Sequence, residues 1–320
     1  MRAGRHEGTG MKFVLGMPNS IFRHFENGYS TGHLAQVAVL AETLGFDGVS
    51  CADHPFPSDA FMVQGGFQDF DPFVTLSFFA QATSRIRLLT SVLVAGHRNP
   101  YMTAKSVVSL DCLSGGRFTL GIGAGYQEAE IEALGGSWPD RGARFDEGLE
   151  VMVKAMTGTS VSHDGPAFPA HGHTMLPRPV QRPRPPIWIG GSSDAALRRA
   201  ARFEGWMPDR FSPVFGEQSF ADFGKRITRA QELHAQANPG SRLEIWSTPR
   251  WRADARGVDW SPQRVAEEVG QFEAVGVHWL RVGTDAPTLG QLTDSVHELA
   301  DRLRIPQPGH YNDTIATLEG

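Results

Sequence analysis

Cysteine is scarce in this 320-residue sequence, which contains only Cys51 and Cys112. The two residues lie far apart, with no CxxC pair and no spacing typical of zinc ligands. Neither a disulfide framework nor a cysteine-based metal site is therefore expected. Both cysteines lie in apolar runs, so we predict buried, reduced thiols, consistent with a cytoplasmic protein.

Clusters of basic residues and long hydrophobic runs are also missing. Only 4 of the 30 basic residues are lysines, the net charge is -5 and the pI is about 6.2. Surfaces that bind nucleic acid concentrate Lys and Arg, so nucleic acid is not expected as a partner. No run of 18 apolar residues occurs, so no membrane span is expected. Residues 1–10 carry charges but no apolar core typical of a signal peptide, and we predict a disordered tail there.

Several catalytic motifs do not occur in the sequence. There is no GxSxG elbow, no HExxH pair and no GK[ST] phosphate loop, which disfavours common hydrolases and kinases. His171 and His173 form an H-x-H pair, but such a pair alone is a weak indication of metal binding. No metal site is predicted.

Strand-like runs alternate with helical patterns along the chain. Several of these runs are continuously apolar, as is typical of parallel strands covered on both faces. Eight alternations predict one α/β domain over 11–320, a (β/α)8 TIM barrel. The predicted strands are 12–18, 46–52, 86–94, 117–123, 186–190, 205–208, 243–248 and 278–283. The predicted helices are 33–44, 73–82, 100–113, 128–134, 146–157, 193–203, 262–275 and 289–303.

Two irregular stretches interrupt this pattern. Residues 159–186 are rich in Pro, Gly and His, which predicts an inserted loop with a short hairpin. Residues 209–218 follow the weak sixth strand. Loops of this length within a barrel are typically lids or walls of a substrate pocket.

The residues that follow each strand are the candidates for chemistry, because TIM-barrel active sites lie at the C-terminal ends of the strands. Asp53 and His54 follow the second strand, where His54 is suited to proton transfer near neutral pH. The alternative is structural, with His54 packed on Phe56 and Asp53 capping a turn. After the third strand, Arg98 either binds an anion or solvates the start of a helix.

Two glycine-rich turns lead from a strand into a helix. Gly123-Ala124-Gly125-Tyr126 follows the fourth strand, and Gly190-Gly191-Ser192 follows the fifth. Such turns let backbone N–H groups approach a phosphate near the positive end of a helix. The alternative is that the glycines only relieve crowding inside the barrel.

Four segments resemble the luciferase-like monooxygenase superfamily, and most closely its coenzyme F420-dependent branch. They are LGFDGVSCADHPFP, RIRLLTSVLVAGHRNP, LDCLSGGRFTLGIGAGYQEAEIEALG and RPRPPIWIGGSSDAALRRAA. The resemblance covers nearly the whole chain in order. It implies a TIM barrel, an oxidoreductase activity on a small molecule, and a homodimer.

The resemblance also implies roles for individual residues. Asp53 and His54 fall where F420-dependent members place an Asp-His pair at the deazaflavin ring, with the histidine catalytic. Ser91 and Val92 fall where the family has a non-prolyl cis peptide that supports the ring. The cofactor's ribityl and phosphate groups are expected at Gly123, Ala124, Gly125 and Tyr126 and at Gly190, Gly191 and Ser192.

Two positions depart from the sugar-phosphate dehydrogenases of this branch. Those enzymes have a Glu where this chain has Tyr126 and a Trp where it has Ser58, so oxidation of glucose 6-phosphate is not expected. Glu128 and Glu130 are expected to point along the next helix and to be weak replacements. The loop 58–70, rich in Phe and Gly, is expected to shape the substrate pocket.

Three functions remain open at this stage. The favoured one is an F420-dependent oxidoreductase in which His54 handles a proton. The second is an FMN-dependent monooxygenase that uses reduced flavin and oxygen. The third is a protein that binds a flavin or deazaflavin without turnover.

Overall fold

Parallel strands form the centre of the protein. The structure is a computed structural model that describes residues 10–18, 31–209, 219–249, 261–284 and 288–305. All but the last residue of the tail predicted at 1–10, and most of the irregular stretch 209–218, lie outside these residues. The described strands are β1 Lys12–Gly16, β2 Gly48–Cys51, β3 Arg87–Thr90, β4 Leu93–Val94, β5 Phe118–Gly123, β6 Val161–His163, β7 Ala170–His173, β8 Ile187–Gly190, β9 Gly205–Met207, β10 Glu244–Ser247 and β11 Trp279–Val282.

These strands close into a barrel in the order β1, β2, β3 with β4, β5, β8, β9, β10 and β11, which returns to β1. Every pairing around the ring is parallel. The third predicted strand is divided into β3 and β4, and both halves pair with β5. The predicted TIM barrel is therefore confirmed, with each of its eight strands at the predicted place.

Helices cover the outside of the barrel. They are α1 Thr31–Thr43, α2 Asp59–Val63, α3 Pro72–Ala82, α4 Pro100–Leu113, α5 Glu128–Ala133, α6 Arg141–Thr157, α7 Asp194–Ala200, α8 Phe220–Ala237, α9 Pro262–Ala274 and α10 Leu289–Arg302. None of the helices in these described ranges is long and apolar enough to cross a membrane. Side-chain caps fix several helix starts, and Asp71 at α3 and Ser261 at α9 are among them.

The sequence analysis missed two of these helices. The short α2 lies in the stretch interpreted as a loop, where Ser58 caps its start. The long α8 buries Phe223, Ile227, Ala230 and His234, spaced four, three and four residues apart. This is the periodicity of an amphipathic helix, so the signal for α8 is present in the sequence.

Three tryptophans fill the interior of the barrel. Trp188, Trp246 and Trp279 are buried on β8, β10 and β11, with ring centroids 5.2 and 6.2 Å from Trp188. Gly205 on β9 gives Trp188 its space, because a Cβ there would collide with the indole ring. The C-terminal ends of the strands therefore form the mouth of a filled barrel.

The inserted segment is fastened to the barrel by one buried carboxylate. Its hairpin is β6 paired with β7, as predicted. Further along, Asp111 of α4 accepts hydrogen bonds from the Val180 and Gln181 amides at 2.6 and 3.0 Å, and from the Gln181 side chain at 2.8 Å. The Gln181 amide group also donates to the Phe118 carbonyl at 2.7 Å, which connects the segment to β5.

Both cysteines are free, as predicted, but only Cys51 is buried. Cys112 is half-buried, which corrects the prediction of two buried thiols. It lies on α4, where its Sγ contacts the Arg178 carbonyl of the inserted segment at 3.4 Å. The segment therefore covers this thiol only in part.

Replacing Asp111 by Ala is expected to lower the free energy of unfolding by about 3 kcal/mol, because buried N–H groups would lose a charged acceptor. The measurement is urea unfolding followed by tryptophan fluorescence. The control is Asp164→Ala, whose carboxylate on the hairpin loop is largely exposed. Equal stability of the two variants would refute the anchoring role of Asp111.

Candidate active site

Asp53 and Arg98 form a buried ion pair at the end of β2. Asp53 is 1% exposed, and its Oδ2 accepts hydrogen bonds from the Val94 amide at 2.9 Å and from Arg98 at 2.6 Å. Arg98 also donates to Asp71, the cap of α3, at 2.7 Å. Burial alone would raise the pKa of Asp53, but its contacts with His97, Arg98 and the Val94 amide outweigh burial and lower it. The Asp53 carboxylate therefore stays ionised. It binds the Val94 amide of β4, and Arg98 connects it to Asp71 at the start of α3.

His54 is held on both sides of its ring. It is 4% exposed, with Nδ1 2.8 Å from Glu130 Oε2 and Nε2 2.9 Å from the Tyr126 hydroxyl. The rings of Phe61 and Phe67 pack on the imidazole, with centroids 5.4 and 4.9 Å away. These two aromatic rings from the loop 58–70 shield the imidazole from water.

Glu130 corrects one expectation from the sequence. It does not point along its helix into solvent; it is 1% exposed and faces the barrel mouth. Its second oxygen, Oε1, accepts a hydrogen bond from the Phe56 amide at 3.0 Å. The reason is the packing of α5: Ile131 is buried beside Gly96, and the helix turns Glu130 inward with it. Glu128 is exposed, so the expectation holds for that residue alone.

Tyr126 lies between the buried imidazole of His54 and solvent. The residue is 59% exposed, although its hydroxyl contacts His54. Burial of the hydroxyl raises its pKa; Gln127 opposes this rise, and Glu130 adds to it. The phenol is therefore protonated near neutral pH and can donate to a ring nitrogen. Glu130, His54 and Tyr126 form one continuous chain of hydrogen-bonding groups.

Two glycines at the mouth leave space for the side chain of Val92. The Ser91–Val92 peptide bond is cis, as the resemblance implies. A Cβ at Gly190 would lie 2.9 Å from Val92 Cγ1, and one at Gly123 would lie 3.3 Å from Cγ2. These two glycines thus give Val92 its space, so relief of crowding is one of their roles. Their contact with a cofactor remains a prediction.

The second glycine-rich turn is already engaged in hydrogen bonds. The Gly191 amide donates to the Met207 carbonyl at 3.2 Å. The Ser192 hydroxyl accepts from the Asp209 amide and donates to the Asp209 carbonyl, both at 2.9 Å. Arg226 of α8 donates to the Ser192 carbonyl at 2.7 Å, which brings a positive charge to this turn. The predicted role of Ser192 in binding a phosphate stays a prediction, and it would involve the backbone rather than the hydroxyl.

Gly125 and Ala124 lie in the first turn, where Gly125 has a φ of 90° that favours glycine.

Several buried polar atoms at the mouth have no hydrogen-bond partner among the described residues. They are the Ser50 and Ser91 hydroxyls and Asp69 Oδ2. Ser50 pairs in register with Leu89, whose side chain lies inside the barrel, so the Ser50 hydroxyl points into the barrel near its C-terminal end. Burial raises the pKa of Asp69 to about 6; Arg281 opposes this rise, and Asp53 adds to it. Unpaired donors and acceptors of this kind fit a ligand with polar ring edges, such as a flavin or deazaflavin.

The sequence analysis identified part of this arrangement. His54, next to Asp53, contacts Tyr126, and Val92 packs against Gly123 and Gly190, whereas Gly191 and Ser192 bond to Met207 and Asp209. Within the described part of the chain, no group of three or more His, Cys, Asp or Glu residues is arranged to hold a metal ion. Glu130 and His97 were missed as site residues. The missed signal was their position just beyond strand ends, in segments that pack on the barrel mouth.

Two known proteins are similar to part of this chain in sequence. An uncharacterised protein of Mycobacterium tuberculosis is 32% identical over 221 residues, which cover 65% of this chain and 74% of that protein. A protein of Sinorhizobium fredii is 30% identical over 165 residues, which cover 52% of this chain and 45% of that protein.

Solved structures share the fold at low sequence identity. The monooxygenase RslO1 from Streptomyces bottropensis superposes with a TM-score of 0.74 at 21% identity, covering 92% of this chain and 99% of its own. An F420-dependent secondary alcohol dehydrogenase in complex with an F420-acetone adduct has a TM-score of 0.70 at 16% identity, with 92% and 99% covered. The model of the family described as luciferase-like monooxygenase matches residues 11–249. The chain therefore belongs to the luciferase-like monooxygenase family, whose oxidoreductases use a flavin or F420.

Proposed function

We propose that this protein is an F420-dependent oxidoreductase that transfers a hydride between the deazaflavin and a small organic substrate. The observation that carries this proposal is the hydrogen-bonded chain of buried Glu130 and His54 with the Tyr126 hydroxyl, beside Asp53. When bound, the deazaflavin supplies or accepts the hydride. Hydride transfer to or from a carbon–oxygen bond also moves a proton at the oxygen, and a fixed imidazole is suited to that proton.

The geometry assigns a tautomer to His54. An oxygen of Glu130 lies 2.8 Å from Nδ1, an arrangement in which Nδ1 would carry the hydrogen and donate it to the carboxylate. The Tyr126 hydroxyl then donates to Nε2, which is the basic nitrogen of the ring. A substrate oxygen that displaces or joins the Tyr126 hydroxyl would give its proton to Nε2 in oxidation and receive it back in reduction.

The surroundings of His54 support the same chemistry. Phe61 and Phe67 exclude water from the imidazole. The ion pair of Asp53 with Arg98 fixes the loop that carries His54. The unpaired hydroxyls of Ser50 and Ser91, together with Val92, would hold the ring edges of the deazaflavin, and its phosphate would meet the glycine-rich turn near Arg226.

A second candidate is an FMN-dependent monooxygenase. The observation that favours it is the likeness to the monooxygenase RslO1, whose TM-score of 0.74 exceeds the 0.70 of the F420-dependent dehydrogenase. The third function, binding without turnover, is not favoured, because the family consists of oxidoreductases. The buried proton chain favours hydride transfer over the monooxygenase reaction, since it offers a fixed partner for the substrate proton.

The choice of cofactor is tested by titrating the purified protein with F420 and, separately, with FMN while following fluorescence. We expect saturable binding of F420 at micromolar concentration and weaker binding of FMN. Micromolar binding of FMN without binding of F420 would refute the F420 proposal and favour the monooxygenase. Binding of neither cofactor would refute both.

The role of the proton chain is tested with His54→Ala and Glu130→Gln. We expect kcat to fall about 10²- to 10⁴-fold for His54→Ala and about 10²-fold for Glu130→Gln, because a positioned acid or base contributes that much. The measurement follows F420 absorbance with the members of a panel of alcohols, aldehydes and ketones that the wild type converts.

The matched control is Glu128→Gln, which changes an exposed carboxylate on the same helix and should leave kcat unchanged. The Kd for F420 should change by less than kcat in His54→Ala and Glu130→Gln, and it should stay unchanged in Glu128→Gln. Turnover by His54→Ala at the wild-type rate would remove the catalytic role assigned to His54.

A further inference from the structure

His97 lies between the two buried carboxylates of the site. Its Nδ1 is 3.7 Å from Asp53 Oδ2, and its Nε2 is 3.8 Å from Glu130 Oε2. The side chain is 2% exposed, and neither ring nitrogen has a hydrogen-bond partner among the described residues. The ring thus spans two carboxylates at distances typical of ion pairs, slightly beyond the range of a hydrogen bond.

The charges around this ring do not balance without an added proton. Asp53 and Glu130 are fully buried, and Arg98 is the arginine that pairs with Asp53. Arg98 is shared with Asp71, so Glu130 is left with neutral partners, the Phe56 amide and an imidazole. An uncompensated buried carboxylate is strongly unfavourable, so one imidazole of the cluster is expected to carry a positive charge.

His97 is better placed than His54 to carry that charge. As an imidazolium, His97 faces a carboxylate from each ring nitrogen. His54 faces one carboxylate only, and its other nitrogen faces the Tyr126 hydroxyl. A charge on His54 would require Nε2 to donate to that hydroxyl, whereas neutral His54 accepts from it.

Other charged groups surround the turn that carries His97. Helix α6 packs against this turn and places Arg141 and Arg144 around a small cavity behind Ala95 and Gly96. These arginines oppose a further positive charge. Asp69, which is electrostatically coupled to Asp53, favours a positive charge on this ring. The two carboxylates in direct contact with His97 are the closest of these groups, so their effect on the ring is the largest.

We propose that His97 is a positioning residue that holds a proton between Asp53 and Glu130 and thereby keeps His54 neutral, with the hydrogen on Nδ1. His97 does not reach the substrate in this role; it acts through the two carboxylates. The inference rests on the proposed function of His54 as a proton acceptor, because only a neutral imidazole can take a proton from the substrate. The proposal gives the positive charge to His97 and the role of the base to His54.

The direct test is NMR of the full chain labelled with nitrogen-15 at histidine, without cofactor or substrate. Ring-nitrogen shifts distinguish an imidazolium from each neutral tautomer, and correlations from ring to backbone in the wild type assign them without any variant. At neutral pH we expect His97 as an imidazolium and His54 as the neutral tautomer protonated at Nδ1. A neutral His97, or an imidazolium at His54, would overturn the proposal.

Substitutions test the coupling between the two rings. In His97→Gln we expect His54 to become an imidazolium at neutral pH, because Glu130 then has no other cation. His97→Lys returns a positive charge and should restore neutral His54. The control is His163→Gln, which removes a histidine that also lies between two carboxylates, Glu147 and Glu150, in the inserted hairpin. It should leave the His54 signals unchanged.

Turnover gives a readout that a purely structural role would not move. In His97→Gln the pH at which oxidation reaches half its maximal rate should shift upward, with the maximal rate regained at high pH. A uniform loss of rate at every pH would contradict the positioning role. If F420 does not bind, the NMR result still decides the charge on His97, so failure of this inference and failure of the proposed function are distinguishable.

Discussion

The contact between Glu130 and His54 is the interaction on which the site depends. It joins a residue after β2 to a residue on α5, which are far apart in the sequence, and it does so with both partners buried. A carboxylate in this position gives the imidazole a defined tautomer and orientation. The Tyr126 hydroxyl, the Phe61 and Phe67 rings and the His97 ring are all arranged around this pair. Loss of Glu130 would leave His54 without a carboxylate partner among the described residues.

The barrel makes this contact possible by its closure and its filled interior. Three tryptophans occupy the interior, so the barrel is packed with side chains rather than hollow. The glycines at Gly123 and Gly190 admit Val92 between neighbouring strands, and the Arg98 pair with Asp53 fixes the following loop. The polar atoms left unpaired at the mouth are therefore held in fixed positions, as a site for a polar ring system requires.

The sequence predicts the barrel well and the site only in part. Strand ends are marked by apolar runs and by glycine turns, so Asp53 and His54 are found because they directly follow β2. Glu130 is not found, because its direction depends on how a six-residue helix packs after the turn at Gly125. His97 is not found, because its partners come from two other segments. Gly123 and Gly190 are found from the sequence, but only part of their role is. Their spacing suggests phosphate binding, whereas their packing on Val92 is visible only in three dimensions. The helix α8 was missed although its apolar periodicity was present in the sequence.

The central claim is that a deazaflavin sits at this mouth with His54 at the reacting atoms. The most direct measurement is a crystal structure of the protein with F420 bound. The account predicts the ring against Val92, with a substrate-sized space between the ring and the Nε2 of His54. A ring bound elsewhere, or one that leaves His54 out of reach of the substrate space, would contradict it.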